Sequence, residues 1–216
     1  MKFDFDVAIF DMDGTLLDTM PYWRYTGMEY LLAHQLPRFP DMIEKMSYTS
    51  SRKLIKDNAE RLGIPDLDFD AMVHEMEGYM NRHYLYDANL KEAAVPDFLE
   101  LLKGKGVRMC VATGSPRQYA RNGLRRLGLL DFFEFVTDNY EVPLNKSQPE
   151  YFTNLARRMG VEPSRCVVFE DALYSMESAR AAGMRVCAIE DSTQSADREA
   201  ILRLANWYIL SYRELM

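Results

Sequence analysis

The chain has 216 residues, 48% of them apolar, with a net charge of −7. That apolar content can fill a real core in one large or two small domains, and the acidic balance argues against general affinity for nucleic acid or anionic membranes. No run approaches the roughly 18 apolar residues that span a bilayer, and Met1 to Asp6 does not resemble a signal peptide, so a cytoplasmic protein is expected.

The first element is Val7-Ala8-Ile9-Phe10, an apolar run read as a buried strand. It delivers Asp11 and Asp13, which on a strand point to one face about 6.6 Å apart, and then Gly14, where the chain can turn away sharply. Two carboxylates so placed suit a divalent cation combined with covalent chemistry. One attacks, the other shuttles a proton, and the cation offsets their repulsion.

Residues 19–92 separate this strand from the next core strand, far more than the dozen or so residues a parallel crossover requires. A separate helical subdomain, an antiparallel bundle, is expected there. Ser50 or Ser51 is placed to cap a helix running through Leu62 and ended by Gly63 before Pro65. In a second helix Met72, Met76, Tyr79, Met80 and His83 recur at three- and four-residue steps. The Met and Tyr side chains read as bundle core. His34, His74 and His83, the only histidines, all fall in this segment, which excludes a Ser-His-Asp triad from the rest of the chain.

Further strands are expected at 108–112, 133–137, 166–169, 185–189 and 207–210, alternating with helices. This pattern predicts an α/β fold with a parallel sheet flanked by helices, whose ligands bind beyond the carboxyl ends of the strands. Thr113-Gly114-Ser115 ends the second core strand. A helix from about Pro116 to Leu127 follows it. Lys146 precedes a helix over Tyr151 to Met159, and Glu170-Asp171 ends a buried strand much as the first acidic pair does. Cys110, Cys166 and Cys187 fall within strands without CxxC spacing and read as buried free thiols.

The run from Asp11 to Thr19, DMDGTLLDT, resembles the first motif of the haloacid dehalogenase-like hydrolases, mostly phosphatases that act through a phosphoaspartate. Within that superfamily the chain is similar to the branch with a helical cap that includes β-phosphoglucomutase and phosphoglycolate phosphatase. The resemblance covers residues 1–18 and 93–216. It implies a Rossmann-like core domain over those residues and a mobile cap domain over 19–92 that closes on the site. Three further stations are implied, and all occur in order. Thr113, with Gly114 and Ser115 and the N-terminus of the helix behind them, would hold phosphate oxygens. Lys146 would neutralise charge on the nucleophile and the phosphoryl group. Glu170 and Asp171 would complete a magnesium site with Asp11 and the backbone carbonyl of Asp13. The chain departs from the commonest pattern at Ala172 and Ser175, where Ser and Gly are usual, which bears on the surroundings of the metal.

The implied mechanism has Asp11 attacking a phosphate monoester while Asp13 protonates the leaving group and later activates water. The expected substrate is a small phosphorylated metabolite, such as a sugar phosphate, phosphoglycolate or a nucleotide monophosphate. A monomer is expected, with neither nucleic acid nor membrane as a partner. Trp23 and Arg52 are the candidate substrate contacts from the cap, within the wider stretches 22–24 and 47–52. The main alternative is a sugar-phosphate mutase. It is disfavoured because Trp23 stands where that branch has a His, and because Arg52 is offset from its cap Arg. A dehalogenase proper fits poorly with Asp-Gly-Thr. The order of the stations disfavours a response-regulator receiver, and retention of Asp11, Asp13, Lys146 and Asp171 disfavours a silent binding protein.

Overall fold

The computed structural model describes residues 4–46, 49–138 and 144–216. In chain order the elements begin with β1 (Val7–Phe10), β2 (Leu17–Asp18), α1 (Met20–Ala33), α2 (Met42–Lys45), α3 (Ser51–Asp57), α4 (Phe69–Tyr86) and β3 (Asn89–Leu90). They continue with α5 (Val95–Gly104), β4 (Arg108–Ala112), α6 (Arg117–Arg126), β5 (Val136–Thr137), α7 (Pro149–Met159) and β6 (Cys166–Glu170). The last are α8 (Leu173–Ala181), β7 (Arg185–Ile189), α9 (Arg198–Leu204) and β8 (Trp207–Ile209).

Every residue of β1 and β6 is buried. Strands apolar on both faces need cover on both faces, which places them at the centre of a parallel sheet. The sheet has six strands in the order β5-β4-β1-β6-β7-β8, all parallel. Alternate residues supply two separate cores. Ala8, Phe10, Val111 and Phe169 meet α5 and α6 on one face, with the Phe10 and Phe169 rings stacked 4.5 Å apart. Val7, Ile9, Cys110 and Val168 meet α7, α8 and α9 on the other. The registers Phe10↔Val111 and Phe10↔Phe169 bring the carboxyl ends of β1, β4 and β6 level, so the residues that follow each strand share one crevice.

Between β1 and β4, α1 to α4 gather a third cluster, including Tyr30, Leu31, Leu54, Ile55, Met72 and Met76. The last turns of α4 leave it. Met80 and Tyr84 belong to the core on the α5–α6 face of the sheet, and α4 packs along α6.

Several boundaries differ from expectation. The helix capped by Ser50 ends at Asp57, and turns carry the chain on to Gly63, whose φ is +77°. The strand expected at 133–137 shrinks to Val136–Thr137, because the chain leaves the 3-10 turn Leu130–Phe132 through a bend at Glu134. The ribbon of β2 paired antiparallel with β3, where the chain leaves and re-enters the sheet domain, was not expected: two residues per strand leave no periodic signal. Among the described residues no helix is long and apolar enough to cross a membrane. All three cysteines are free and buried, as expected.

Candidate active site

The loops after β1, β4 and β6 enclose a pocket of about 230 Å³ lined by Asp11, Asp13, Ser115, Lys146, Glu170 and Asp171, among others. The carboxylates expected to converge there divide into two groups, because each strand end supplies different neighbours.

The first group surrounds Lys146. Its Nζ lies 2.6 Å from Asp11 Oδ1 and 2.5 Å from Glu170 Oε2, and all three side chains are buried. The loop presenting Lys146 is held by local turns, with the Asn145 side-chain oxygen accepting from the Ser147 amide and the Gln148 side chain accepting from the Asn145 amide. Pro149 then opens α7. Glu170 also accepts the backbone amides of Asp171 and Ala172 at 3.1 Å each, and the Ser175 hydroxyl at 2.6 Å. Ala172, at the N-cap of α8, has no side-chain oxygen to cap that helix, and its own amide donates to Glu170. Ser175 thus supplies Glu170 with a hydroxyl from the position where the family usually has Gly.

Two atoms in this group stand out. Asp11 Oδ2 and Asp171 Oδ2 are buried and have no hydrogen-bond partner among the described residues. One carboxylate oxygen each from Asp11, Glu170 and Asp171 lies within 4.8 Å of the others. Burial and the neighbouring Glu170 push Asp11 up to about 8 against the opposing pull of Lys146, and burial with Glu170 and Asp11 pushes Asp171 well above the usual carboxylate range. Burial also acts on Glu170 and Lys146, but their mutual attraction outweighs it, holding Glu170 below and Lys146 above their ordinary values. Unpaired buried carboxylate oxygens are costly. A hard divalent cation relieves them, and an all-oxygen donor set suits magnesium. Glu170 has both oxygens occupied by donors, so the open positions belong to Asp11 and Asp171.

The second group surrounds Asp13, whose side chain does not join the first. Its Oδ1 accepts from the Thr19 hydroxyl and the Tyr84 phenol, each at 2.6 Å, and its Oδ2 accepts from the Ser115 hydroxyl at 2.8 Å. Thr19 stands at the N-cap of α1 yet makes no capping hydrogen bond, since its hydroxyl is turned to Asp13. Thr113 Oγ1 accepts from the Ser115 amide, and its own amide donates to Thr137 in the neighbouring strand, which fixes the Thr113–Ser115 loop. Gly114 lines the pocket. The N-terminus of α6 does not face it in the way expected: the Arg117 amide donates to Asp138 Oδ2 at 2.6 Å, so a carboxylate already caps that end.

Gly14 separates the groups. Its φ is +86°, and a Cβ there would lie 2.6 Å from Asp171 Oδ2. We expect Gly14→Ala to displace Asp171, lowering stability by about 1–3 kcal/mol in urea unfolding. Mg²⁺ affinity measured by calorimetry should fall about tenfold or more; unchanged affinity would count against this placement.

Of the candidate cap contacts, Trp23 lines the carboxylate pocket and Arg52 does not. Both line an adjoining cavity of about 410 Å³, where the Arg52 guanidinium lies 4.8 Å from the Trp23 ring centroid and pairs with Glu77 at 3.4 Å. Ser47 and Tyr48 of the same stretch lie outside the described residues. Gln194, between β7 and α9, lines both spaces. His34 and His83 pair with Glu75 and Glu29 respectively, and no histidine lines the carboxylate pocket. Sequence reasoning missed Thr19, Tyr84 and Gln194. Tyr84 does follow Met80 by four residues, a spacing that marked the buried face of α4 but not what the phenol would meet.

An aspartate-bearing strand end, a buried lysine and a cluster of carboxylate oxygens beyond a parallel sheet fit a hydrolase of the haloacid dehalogenase type. The family model for haloacid dehalogenase-like hydrolases matches residues 5–183, and the chain belongs to that family. It is 34% identical over 180 residues to fructose-1-phosphate phosphatase YqaB of Escherichia coli, covering 82% of this chain and 92% of that one. To the phosphorylated carbohydrates phosphatase of Thermotoga maritima it is 30% identical over 182 residues, covering 83% and 82%. In fold it is similar to the crystal structure of CbbY from Rhodobacter sphaeroides in complex with phosphate, with a TM-score of 0.82, 21% identity, and 98% and 96% of the chains covered.

Proposed function

We propose that this chain is a Mg²⁺-dependent phosphatase of small phosphorylated metabolites, sugar phosphates foremost, working through an aspartyl phosphate on Asp11. The observation that carries the reading is Asp11 itself: buried, with Lys146 on one oxygen and the other oxygen open, in a cluster where carboxylate oxygens of Asp11, Glu170 and Asp171 lie within 4.8 Å of one another. Relatives named as a fructose-1-phosphate phosphatase and a phosphorylated carbohydrates phosphatase favour that substrate class.

In this reading Lys146 orients Asp11 for attack in line with the leaving group and neutralises charge on the phosphoryl oxygens. The Thr113–Ser115 loop receives those oxygens. Asp13 gives a proton to the departing alkoxide and then takes one from the water that cleaves the acyl phosphate. Asp11 and Asp171 would hold Mg²⁺, with the Asp13 backbone carbonyl, and the ion would supply charge neutralisation at both steps. We assign residues 1–18 and 93–216 to the core domain and 19–92 to a cap that excludes water from the ester. Trp23, Arg52 and Gln194 would face the substrate beyond its phosphate.

The test is phosphate release from a panel of phosphorylated metabolites with and without Mg²⁺. Metal-dependent release, greatest with sugar phosphates, is expected. Transfer to an added sugar phosphate without release would instead mark a mutase.

A pH dependence follows from the carboxylates. Asp11, pushed up to about 8, and Asp171, also raised, must lose protons before they hold a cation. A folded-state pKa above the unfolded one means the metal-free fold keeps protons that the unfolded chain releases, so its stability falls as pH rises toward 8. Glu170 is lowered and Lys146 raised, so their contributions are lost only under acidic and strongly alkaline conditions respectively. Between about pH 6 and 8.5, Mg²⁺ should therefore raise the unfolding temperature by an increasing amount, and its apparent affinity should strengthen. Thermal-shift titrations check this; a pH-independent increment would contradict it.

A further inference from the structure

Tyr84 is fully buried near the end of α4, which packs against both the inserted segment and α6, and its phenol reaches the proton-shuttling carboxylate. Its hydroxyl donates to Asp13 Oδ1 at 2.6 Å and lies 2.9 Å from Ser115 Oγ, which itself donates to Asp13 Oδ2. Ser115 Oγ gives its own proton to Asp13 Oδ2, which leaves the Tyr84 proton directed at Oδ1. A phenol is protonated at neutral pH, so it can serve Asp13 as a donor.

The backbone beneath the ring is fixed to the sheet domain. Arg126 Nε donates to the Tyr84 carbonyl at 2.8 Å, and the absence of a side chain at Gly123 leaves room for the ring, since a Cβ there would lie 3.2 Å from Tyr84 Cβ. These contacts tie the Tyr84 backbone to α6 of the sheet domain.

Resting on the phosphatase reading above, we propose that Tyr84 is a positioning residue for Asp13. With Thr19 it occupies Oδ1, leaving Oδ2, held at rest by Ser115, as the atom that carries the proton. As the bond from Asp11 to phosphorus forms and the ester P–O bond breaks, that proton passes to the departing oxygen. Hydroxyl partners can exchange donor and acceptor roles, so the arrangement persists in both protonation states of Asp13. Freed from Tyr84 the carboxylate turns, and proton delivery suffers only where the leaving group needs a proton.

Tyr84→Phe removes one oxygen and keeps the ring. With Mg²⁺ present, kcat/KM for a sugar phosphate, whose alkoxide is a poor leaving group, should fall about tenfold or more. For 4-nitrophenyl phosphate, whose phenolate departs unassisted, the fall should stay within about threefold. The ratio of the two kcat/KM values cancels the amount of folded enzyme, so partial misfolding cannot imitate the result. Equal losses on both substrates, or no loss on either, would overturn the proposal. Wild-type protein that released phosphate from neither ester would overturn the phosphatase reading, and this inference with it.

Discussion

Asp11→Asn should reduce phosphate release about 10⁴-fold or more while leaving the protein folded. The carboxylate is the proposed attacking group, and an amide of the same shape cannot form the acyl phosphate. Nearby groups do not compensate: Lys146 is a cation paired with Asp11 and Glu170, and both Glu170 oxygens are already occupied by donors. The fold should tolerate the change because the amide oxygen can still accept from Lys146, and the repulsion among Asp11, Glu170 and Asp171 is relieved. Urea unfolding is expected to change by no more than about 1 kcal/mol. Activity above about one hundredth of wild type would show that Asp11 is not the nucleophile.

Lys146→Met should have the largest effect on stability. It removes the cation shared by Asp11 and Glu170 and leaves a buried acidic cluster without a counter-charge. Breaking a buried pair by deleting one partner costs about 3–5 kcal/mol, mainly through the charge left behind. The loss should be greater at pH 8.5 than at pH 6, because Asp11 is already pushed up to about 8 with the lysine present and can take up a proton at the lower pH. Mg²⁺ should restore part of it by binding the open oxygens of Asp11 and Asp171. Urea unfolding at the two pH values, with and without Mg²⁺, provides the test. Activity should fall about 10²–10³-fold, the scale seen when one pre-placed charge stabiliser is lost. A stable variant with no pH dependence would mean that Lys146 does not neutralise this cluster.

The order of the elements was legible because each strand of the sheet is apolar and follows a turn or helix stop, and β1, β4 and β7 fall at their expected limits. Short pieces were not. β5 and the β2–β3 ribbon each pair only two residues, and the turns after Asp57 fill a stretch whose composition equally suits a helix. In the site, Asp11, Thr113, Lys146 and Asp171 were found because each follows or introduces a periodic element in a recognisable series. Tyr84 and Thr19 were not, since a tyrosine on a helical stripe and a threonine before a proline-led helix look the same whether or not they meet a carboxylate.

The sequence by itself determined the parallel α/β core, the helical insertion and the residues delivered to the strand ends, because periodicity and turn chemistry are local properties of the chain. Only the tertiary structure decided how those residues divide. Lys146 joins Asp11 to Glu170 across 135 residues of sequence in one direction and 24 in the other, while Asp13, two residues from Asp11, is claimed by Tyr84 and Ser115. Hydrogen-bond partners and buried charges are set by distances of a few ångströms between elements remote in the chain. No spacing along the sequence records them.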